Sequence, residues 1–230
     1  WLDFDKDGEL DLFIGNESGR EIRGGKKADY PSQLFRNNGD GTFTDVAEEA
    51  GVRNDRFCKG ATAGDYDNDG DPDLFLSNVG GNRLFRNNSD GTFTDVAPRL
   101  GVTGTGGFNF TPWFFDYNND GWLDIFVGAF EATLQHHMQD ARGAPHSAPI
   151  PHLYRNNGNG TFTDVAQSSG LAHPYLPMGA NFGDVDNDGW LDIFLATGDS
   201  NFETLTPNIL LRNKAGQRFD NVTYAARLGH

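Results

Sequence analysis

The stretch DFDKDGELD at residues 3–11 returns as DYDNDGDPD at 65–73, DYNNDGWLD at 116–124 and DVDNDGWLD at 184–192. Every copy has Asp at positions 1, 5 and 9, Asp or Asn at position 3, and Gly at position 6. Oxygen-bearing side chains at alternate positions, with a glycine where the backbone turns sharply, are the arrangement that hard cations such as Ca²⁺ require. Four copies in register therefore predict four cation-binding loops.

The charge of the chain is concentrated in these loops. The formal net charge is −15, from 33 acidic and 18 basic residues, and fifteen of the acidic residues occupy positions 1, 3, 5 and 9. Because such clusters repel themselves without a cation, metal binding is expected to be coupled to folding. The acidic balance argues against nucleic acid or an anionic membrane surface as a partner. No apolar run approaches the ~20 residues that span a bilayer.

A second repeated block follows each loop. It contains a short apolar run, a turn rich in Asn, Gly and Asp, and a Thr-Phe-Thr type of alternation, which together predict a β-hairpin. The run of three apolar residues that directly follows each acidic loop indicates a strand buried on both faces. The hairpin copies are LFRNNGDGTFTDVAEEAGV (34–52), LFRNNSDGTFTDVAPRLGV (84–102), LYRNNGNGTFTDVAQSSGL (153–171) and the shorter LLRNKAGQRFDNVT (210–223).

The repeat unit is therefore strand, acidic loop, strand, variable connection, strand, tight turn, strand. Small residues at 59–64 and 178–183, ahead of two loops, fit a crowded inner strand. Four antiparallel strands in about 50–70 residues are typical of a β-propeller blade. We predict an all-β propeller domain over 1–230 with helix limited to one short turn per unit. The predicted blade units are 1–56, 57–106, 107–175 and 176–230.

The spacing between motifs separates two faces of this propeller. From the Arg of each RN pair to the next loop the chain runs 29, 30 and 29 residues, whereas from a loop to the next Arg it runs 25, 13, 31 and 20. All length variation thus falls between the second and third strands. We expect these inserts on the face opposite the loops, where variable insertions usually serve recognition. The inserts are 15–33, 77–83, 128–152 and 196–209.

Both ends of the sequence fall within the same strand segment of the repeat. The four units are expected either to form part of a larger propeller or to have a blade completed by another copy. An open strand edge invites pairing, so self-assembly into an extracellular filament is one predicted outcome.

The two motifs in fixed order resemble a known family over essentially the whole chain. D-x-[DN]-x-D-G-x-x-D followed by L-[FY]-R-N-N-x-x-G-T-F-T-D-V-A is similar to the FG-GAP/VCBS repeats of integrin-α-like β-propellers, and in detail to the cartilage-acidic-protein/UnbV-type branch. The resemblance implies one Ca²⁺ in each loop between the first and second strands of a blade. Ligands would be the side chains of positions 1, 3, 5 and 9 and the backbone carbonyl of position 7. The implied ligand residues are Asp3, Asp5, Asp7, Glu9, Asp11, Asp65, Asp67, Asp69, Asp71, Asp73, Asp116, Asn118, Asp120, Trp122, Asp124, Asp184, Asp186, Asp188, Trp190 and Asp192.

An EF-hand is the rival interpretation of the loops, and it fails. An EF-hand needs a bidentate Glu at position 12. Position 12 is apolar in every copy and lies in the strand that follows: Ile14, Leu76, Val127 and Leu195. The third loop has Asn118 in place of an Asp, and because fewer ligand charges weaken Ca²⁺ binding, its affinity is expected to be lower.

Two inserts carry residues that suit other ligands. The insert 128–152 contains His136, His137, His146 and His152, and imidazole suits transition metals. The alternative is a polar loop that is rich in histidine without binding a metal. The first insert is basic and could contact an acidic glycan or an acidic face of another copy, or it could be a solvated loop; its basic residues are Arg20, Arg23, Lys26 and Lys27.

Sequence motifs for catalysis are missing. The chain has no Gly-x-Ser-x-Gly, His-Glu-x-x-His or phosphate-binding loop. We therefore predict a non-enzymatic Ca²⁺-binding module that acts in adhesion or assembly, binding a protein or glycan on the insert face. Loops of this kind suit millimolar Ca²⁺, so an extracellular location is expected. The alternative is a polysaccharide-active enzyme, or a redox or metal-binding propeller, that uses the insert 128–152.

Overall fold

The computed structural model describes residues 1–17, 30–198 and 206–228. The basic residues of the first insert lie outside the described residues. The described part of the chain contains fifteen strands and two helices. In chain order these are β1 (Leu12–Ile14), β2 (Gln33–Asn37), β3 (Phe43–Asp45), β4 (Cys58–Gly64), β5 (Asp73–Asn78), β6 (Arg83–Asn87), β7 (Phe93–Asp95), α1 (Ala97–Leu100), β8 (Asn109–Phe115), β9 (Asp124–Ala129), α2 (Leu134–Ala141), β10 (His152–Asn156), β11 (Phe162–Asp164), β12 (Pro177–Gly183), β13 (Asp192–Thr197), β14 (Ile209–Lys214) and β15 (Arg218–Asn221).

The strands form four antiparallel sheets whose order follows the chain. They are β1-β2-β3, β4-β5-β6-β7, β8-β9-β10-β11 and β12-β13-β14-β15. Beside the three named strands of the first sheet, Leu2 pairs with Asp11 in an isolated antiparallel bridge. The strands of each sheet fall within one of the four units expected from the repeats. The predicted all-β class and blade architecture are confirmed, and the described residues form a β-propeller of four blades.

The hydrophobic core lies between neighbouring blades. Three clusters of buried side chains join the first blade to the second, the second to the third and the third to the fourth. The second strand of a blade supplies both of its faces to these clusters, and all six residues of β5 and of β9 are buried, as the apolar runs predict. The second strand of the first blade, β1, differs from β5 and β9 because its Ile14 is partly exposed.

Position 2 of the acidic loop joins each blade to the next through a ring contact. The ring of Phe4, Tyr66 or Tyr117 packs on the Phe of the fourth strand of the following blade, with centroids 5.7–6.1 Å apart. The backbone carbonyl of the same position 2 residue accepts a hydrogen bond at 2.7–2.8 Å from a buried Asn of that following blade. These asparagines, each of which directly follows the Arg of an RN pair, are Asn87, Asn156 and Asn213.

The inner strands β4, β8 and β12 lie side by side, and the small residues of β4 permit this approach. A Cβ added to Gly60 would lie 2.4 Å from Cδ of Pro112 in β8. Real Cβ atoms do not come so close, so Gly60 is required for the packing of these two strands. The expected crowded inner strand is confirmed here.

The expectation of helix in short turns only is correct for one element and wrong for another. The short α1 follows β7 where such a turn is predicted. The eight-residue α2 lies inside the third insert and was not predicted. It begins at Thr133, whose hydroxyl accepts from the His136 N–H while the Thr133 N–H donates to His136 Nδ1. Histidine replaces the usual Glu or Gln of this capping box, so the start signal is not evident in the sequence.

Candidate metal centres and the opposite face

The aspartate at position 9 is the buried anchor of each loop. One of its carboxylate oxygens accepts from the backbone N–H of position 2 at 3.0–3.2 Å. The other accepts from the backbone N–H of the first Asn in the RN pair at 2.8–2.9 Å. Each carboxylate thereby ties its loop to the third strand of the same blade. These residues, all buried, are Asp11, Asp73, Asp124 and Asp192.

Positions 1 and 6 close the loop. The carboxylate at position 1 accepts from the N–H of the glycine at position 6 at 2.8–3.1 Å in all four copies. The φ angles of these glycines lie between 85° and 90°, in a region that a side chain disfavours. The turn therefore requires glycine, and it brings position 1 back toward position 9.

Three loops gather carboxylates from positions 1, 3 and 9. In each of these loops one oxygen per residue lies within 4.8 Å of the other two. The third loop brings Asn118 to position 3 in place of a carboxylate, and its amide donates to Asp120 Oδ2 at 2.8 Å. In the fourth loop the position 3 carboxylate also pairs with a guanidinium group, since Arg212 Nε lies 2.6 Å from Asp186 Oδ2. The converging triplets are Asp3, Asp5, Asp11; Asp65, Asp67, Asp73; and Asp184, Asp186, Asp192.

The electrostatics of these loops suit a bound cation. Burial raises the pKa of Asp73 to about 8 and that of Asp124 to about 7, although backbone N–H donors act in the opposite direction. Burial also raises the pKa values of Asp11 and Asp67. Two buried carboxylate oxygens, Oδ1 of Asp3 and of Asp67, have no hydrogen-bond partner in the part of the chain that the structure describes. A divalent ion would stabilise these charges and occupy the unpaired oxygens, so the residues fit a hard cation.

Positions 5 and 7 make other contacts. The position 5 carboxylate accepts from the N–H of position 7 in every loop at 2.8–3.1 Å and lies outside the three converging groups. In the second, third and fourth loops the position 7 side chain lies beside the tight turn of the same blade. Asp71 Oδ2 accepts from Ser89 at 2.5 Å, and a Cβ on Gly158 would lie 2.8 Å from Nε1 of Trp122. Loops and tight turns thus share one face, as the spacing predicts, while ligation by positions 5 and 7 stays a prediction.

Position 4 links each loop to the next one around the propeller. Lys6 Nζ lies 2.8 Å from Asp71 Oδ1 in the second loop. Asn68 donates to the Gly121 carbonyl at 3.1 Å, and Asn119 donates to the Gly189 carbonyl at 2.9 Å. All position 4 residues have φ between 53° and 59°, in the left-handed region, so the backbone of the four loops has the same local turn. The four loops therefore form a continuous belt.

Breaking one link of the belt is expected to destabilise the protein modestly. Asn119→Ala removes the bond to Gly189 and should lower the free energy of unfolding by about 0.5–1.5 kcal/mol. Asn187→Ala is the matched control, since Asn187 has the same loop position and a similar φ, and among the described residues its side chain makes no hydrogen bond. Urea unfolding of both variants measures the difference, and equal losses would contradict a role for the belt.

The inserts meet on the opposite face around a cavity of about 820 Å³. It lies where the inner strands β4, β8 and β12 begin, and residues from three inserts reach it, which confirms the predicted separation of faces. Lys59 Nζ lies 4.6 Å from the ring centroid of Phe57 and 4.8 Å from that of Phe110, and it pairs with Glu17 at 2.7 Å. The principal lining residues are Phe108, Phe110, Phe130, Glu131, Leu176 and Met178.

The four histidines of the third insert lie in three different environments. His152 lies in β10, stacks on Tyr154 and hydrogen-bonds Asp164 at 2.6 Å, so it belongs to the blade. His136 caps α2. His137 and His146 lie near Asp140, and burial lowers the pKa of His137. The structure adds His173, from the connection before β12, to this group through hydrogen bonds of 2.9 Å to Asp140.

Two further structural features, besides α2, were not expected from the sequence. One is the position 4 belt. The other is a polar pair across the third and fourth strands of three blades, which joins the residue before the L-[FY]-R-N block to the Asp of the TFTD motif. Burial opposes ionisation of Asp164, but the hydrogen bond from His152 and two backbone N–H donors hold its pKa below the usual value. A polar residue recurs at that site in three copies, so the pairs Gln33–Asp45, Arg83–Asp95 and His152–Asp164 were detectable.

Comparison with known proteins adds a family and a fold. Among the described residues no helix combines the length and apolar character needed to span a membrane. No curated protein sequence matches the chain. Twenty-six chains of solved structures match. One is a lectin from Agrocybe aegerita, described with specific recognition of non-reducing terminal N-acetylglucosamine; it is 18% identical with a TM-score of 0.45. The match covers 96% of this chain and 52% of the lectin, so this chain spans about half its length.

The model of the FG-GAP-like repeat matches residues 3–76, 65–127 and 142–195. Each matched segment ends within the second strand of a blade and contains at least one acidic loop, and together the segments cover well over half of the chain. The repeated loops, the blades and this match agree, and the chain belongs to the FG-GAP-like repeat family.

Proposed function

We propose that this protein is a non-enzymatic, extracellular binding module whose blades are stabilised by Ca²⁺ and whose insert face binds a protein or glycan in adhesion or assembly. Its family and the three groups of converging carboxylates support the Ca²⁺ role. Within the family we place it in the cartilage-acidic-protein/UnbV-type branch, on the L-[FY]-R-N-N and T-F-T-D-V-A blocks. Millimolar Ca²⁺ outside cells would saturate sites of this kind.

The cavity on the insert face is the observation that carries the binding role. Its walls combine phenylalanine rings and aliphatic side chains with a few charged groups, the composition typical of ligand sites. The rings of Phe110 and Phe130 lie 5.0 Å apart, and Glu131 is exposed at the edge. A partner can therefore bury an apolar group against the rings while a cationic or hydroxyl group contacts the carboxylates.

Backbone strain supports the same location. Leu176, which lines the cavity, has a φ of 53°, and Thr111, which follows a lining phenylalanine, has a φ of 46°. A β-branched residue at positive φ is uncommon and unfavourable. Such residues persist where the surrounding packing fixes them, and they concentrate at ligand sites.

The experiment is a binding array in millimolar Ca²⁺ that contains glycans, purified extracellular-matrix proteins and the protein itself. Phe130→Ala is expected to weaken binding about 30-fold, the effect of losing a central aromatic contact. Phe43→Ala, an exposed ring at the start of β3 and away from the cavity, is the control and should bind glycans and matrix proteins normally. Binding that Phe130→Ala leaves unchanged would contradict the proposal. Release of new reducing ends from bound glycans, lost in a deletion of 128–152, would favour the enzyme alternative.

Self-association is the assembly mode that the same array tests. Phe43 is 43% exposed and Val185, at position 2 of the fourth loop, is 56% exposed. Their counterparts Phe93 and Tyr66 are buried between neighbouring blades. Another blade of the same repeat, including one from a second copy, fits these two surfaces. Retention of the protein on its own spot would identify this mode.

A further inference from the structure

A cluster of imidazoles surrounds one carboxylate beside the third insert. Asp140 lies in the last turn of α2, one helical turn after His137. Both oxygens of Asp140 lie 2.9 Å from His173 Nδ1, and Oδ1 lies 3.5 Å from His146 Nε2. His137, Asp140 and His173 also line a cavity of about 860 Å³ against the fourth blade. The segment after α2 and the connection ahead of β12 therefore each bring an imidazole to a single carboxylate.

The carboxylate determines which ring nitrogens carry protons. An ionised carboxylate only accepts hydrogen bonds, so the nitrogen of each imidazole that faces Asp140 is the protonated one. In the neutral ring the opposite nitrogen then carries a lone pair. These nitrogens are Nδ1 of His146 and Nε2 of His173. A histidine that donates one N–H to a carboxylate and presents the other nitrogen is the usual arrangement of a metal-binding histidine.

Two of the ring nitrogens lack partners despite being buried. His146 Nδ1 and His137 Nε2 are inaccessible to solvent and make no hydrogen bond among the described residues. Leaving a buried polar atom unpaired costs free energy, so such atoms usually serve a purpose. Neither the Ca²⁺ loops nor the blade packing explains them, since both residues lie outside the acidic loops and outside the interblade clusters.

We propose that His137, His146 and His173 form a site for a divalent transition metal of the Zn²⁺ type, with Asp140 as the carboxylate that orients two of the imidazoles. Imidazole ligands suit such metals, whereas the acidic loops suit Ca²⁺. Within the described residues only the acidic loops bring three carboxylate or imidazole donors within 4.8 Å of one another, so binding requires rotation of these side chains toward a common point. The metal would fasten the third insert to the connection ahead of the fourth blade. This inference does not depend on the proposed function.

The test is calorimetric titration of the Ca²⁺-saturated protein with Zn²⁺, because millimolar Ca²⁺ keeps the acidic loops occupied. We expect one Zn²⁺ per chain. His146→Gln and His137→Gln should each weaken binding at least tenfold, and Asp140→Asn should weaken it about 10–100-fold, the usual effect of losing an orienting carboxylate. His136→Gln is the matched control: glutamine preserves the capping box, and His136 Nδ1 is already occupied by the Thr133 N–H. Its affinity should stay within about twofold of the wild type.

The visible spectrum of bound Co²⁺ gives a second readout that overall stability does not affect. The wild type and His136→Gln should show the absorption band of tetrahedral or five-coordinate Co²⁺. We expect His146→Gln and His137→Gln to lack this band. If His146→Gln does not fold, His137→Gln and Asp140→Asn decide the question. Absence of Zn²⁺ binding, or equal affinity in the wild type, His137→Gln and Asp140→Asn, would overturn the proposal, as would an equally large loss in His136→Gln.

Discussion

Saturating Ca²⁺ is expected to raise the thermal unfolding midpoint of the chelated protein by about 20 °C or more. A ligand that binds only the folded state at a hundred times its Kd contributes about 2.7 kcal/mol per site. Each kcal/mol moves the midpoint of a domain of this size by about 2–4 °C. Four loops acting together therefore give a shift on the order of 20–40 °C. The buried aspartates at position 9 explain the direction, because the cation compensates charges that burial makes unfavourable.

Two controls make this result specific. Sodium chloride at matched ionic strength screens repulsion among the fifteen carboxylates at positions 1, 3, 5 and 9 without binding the loops, and it should produce a much smaller shift. Mg²⁺ dehydrates reluctantly and needs closer octahedral geometry, so it should also be less effective. A Ca²⁺ shift no larger than that of sodium chloride would show that the loops are only acidic turns.

Asn156→Ala is expected to be strongly destabilising, by about 3–5 kcal/mol, with or without Ca²⁺. Its buried amide donates to the Tyr66 carbonyl of the preceding blade at 2.7 Å and to the Leu123 carbonyl at 3.2 Å, and its oxygen accepts from the Gly158 N–H at 3.1 Å. Alanine leaves these buried groups unpaired, at about 1–3 kcal/mol each before relaxation.

The neighbouring Asn157 provides the control. It is exposed, and among the described residues its amide bonds only within its own hairpin, where it donates to two threonine hydroxyls at 2.9 and 3.1 Å and its oxygen accepts from Arg155 and Thr163. Asn157→Ala should therefore cost less than about 1.5 kcal/mol. Denaturant unfolding of the two variants in chelator separates an interblade contribution from metal binding. Similar losses in both would show that the asparagine bond between blades contributes little.

Much of the fold was predictable because the same apolar runs and turn residues recur in every repeat unit. Each apolar run after an acidic loop lies in the second strand of its blade, which is fully buried in β5 and β9, and Asn/Gly turns close the hairpins β2-β3 and β6-β7. The constant spacing from each Arg to the next loop, and the variable spacing from each loop to the next Arg, predicted that the loops and the inserts lie on opposite faces. The helix α2 was missed because His136 performs the capping role of Glu or Gln, and side-chain geometry alone reveals that exchange.

The candidate sites were predictable to different degrees. Positions 1, 3 and 9 converge in three loops, as the ligand pattern suggests. The dual role of position 9, which bonds two backbone N–H groups, was not predictable because it depends on the register of the third strand. That the histidine insert binds a metal stays a prediction, but the structure changes which histidines lie together. His152 binds Asp164 within a blade, and His173, distant in sequence, takes its place beside Asp140.

Equilibrium dialysis with radioactive Ca²⁺ on the chelated protein counts the ions that the loops hold. We expect four ions per chain, with one site weaker than the rest because Asn118 replaces a carboxylate in the third loop. Asn118→Asp should bring that site toward the affinity of the others. A total of one ion or none at millimolar Ca²⁺ would show that the acidic loops are not Ca²⁺ sites.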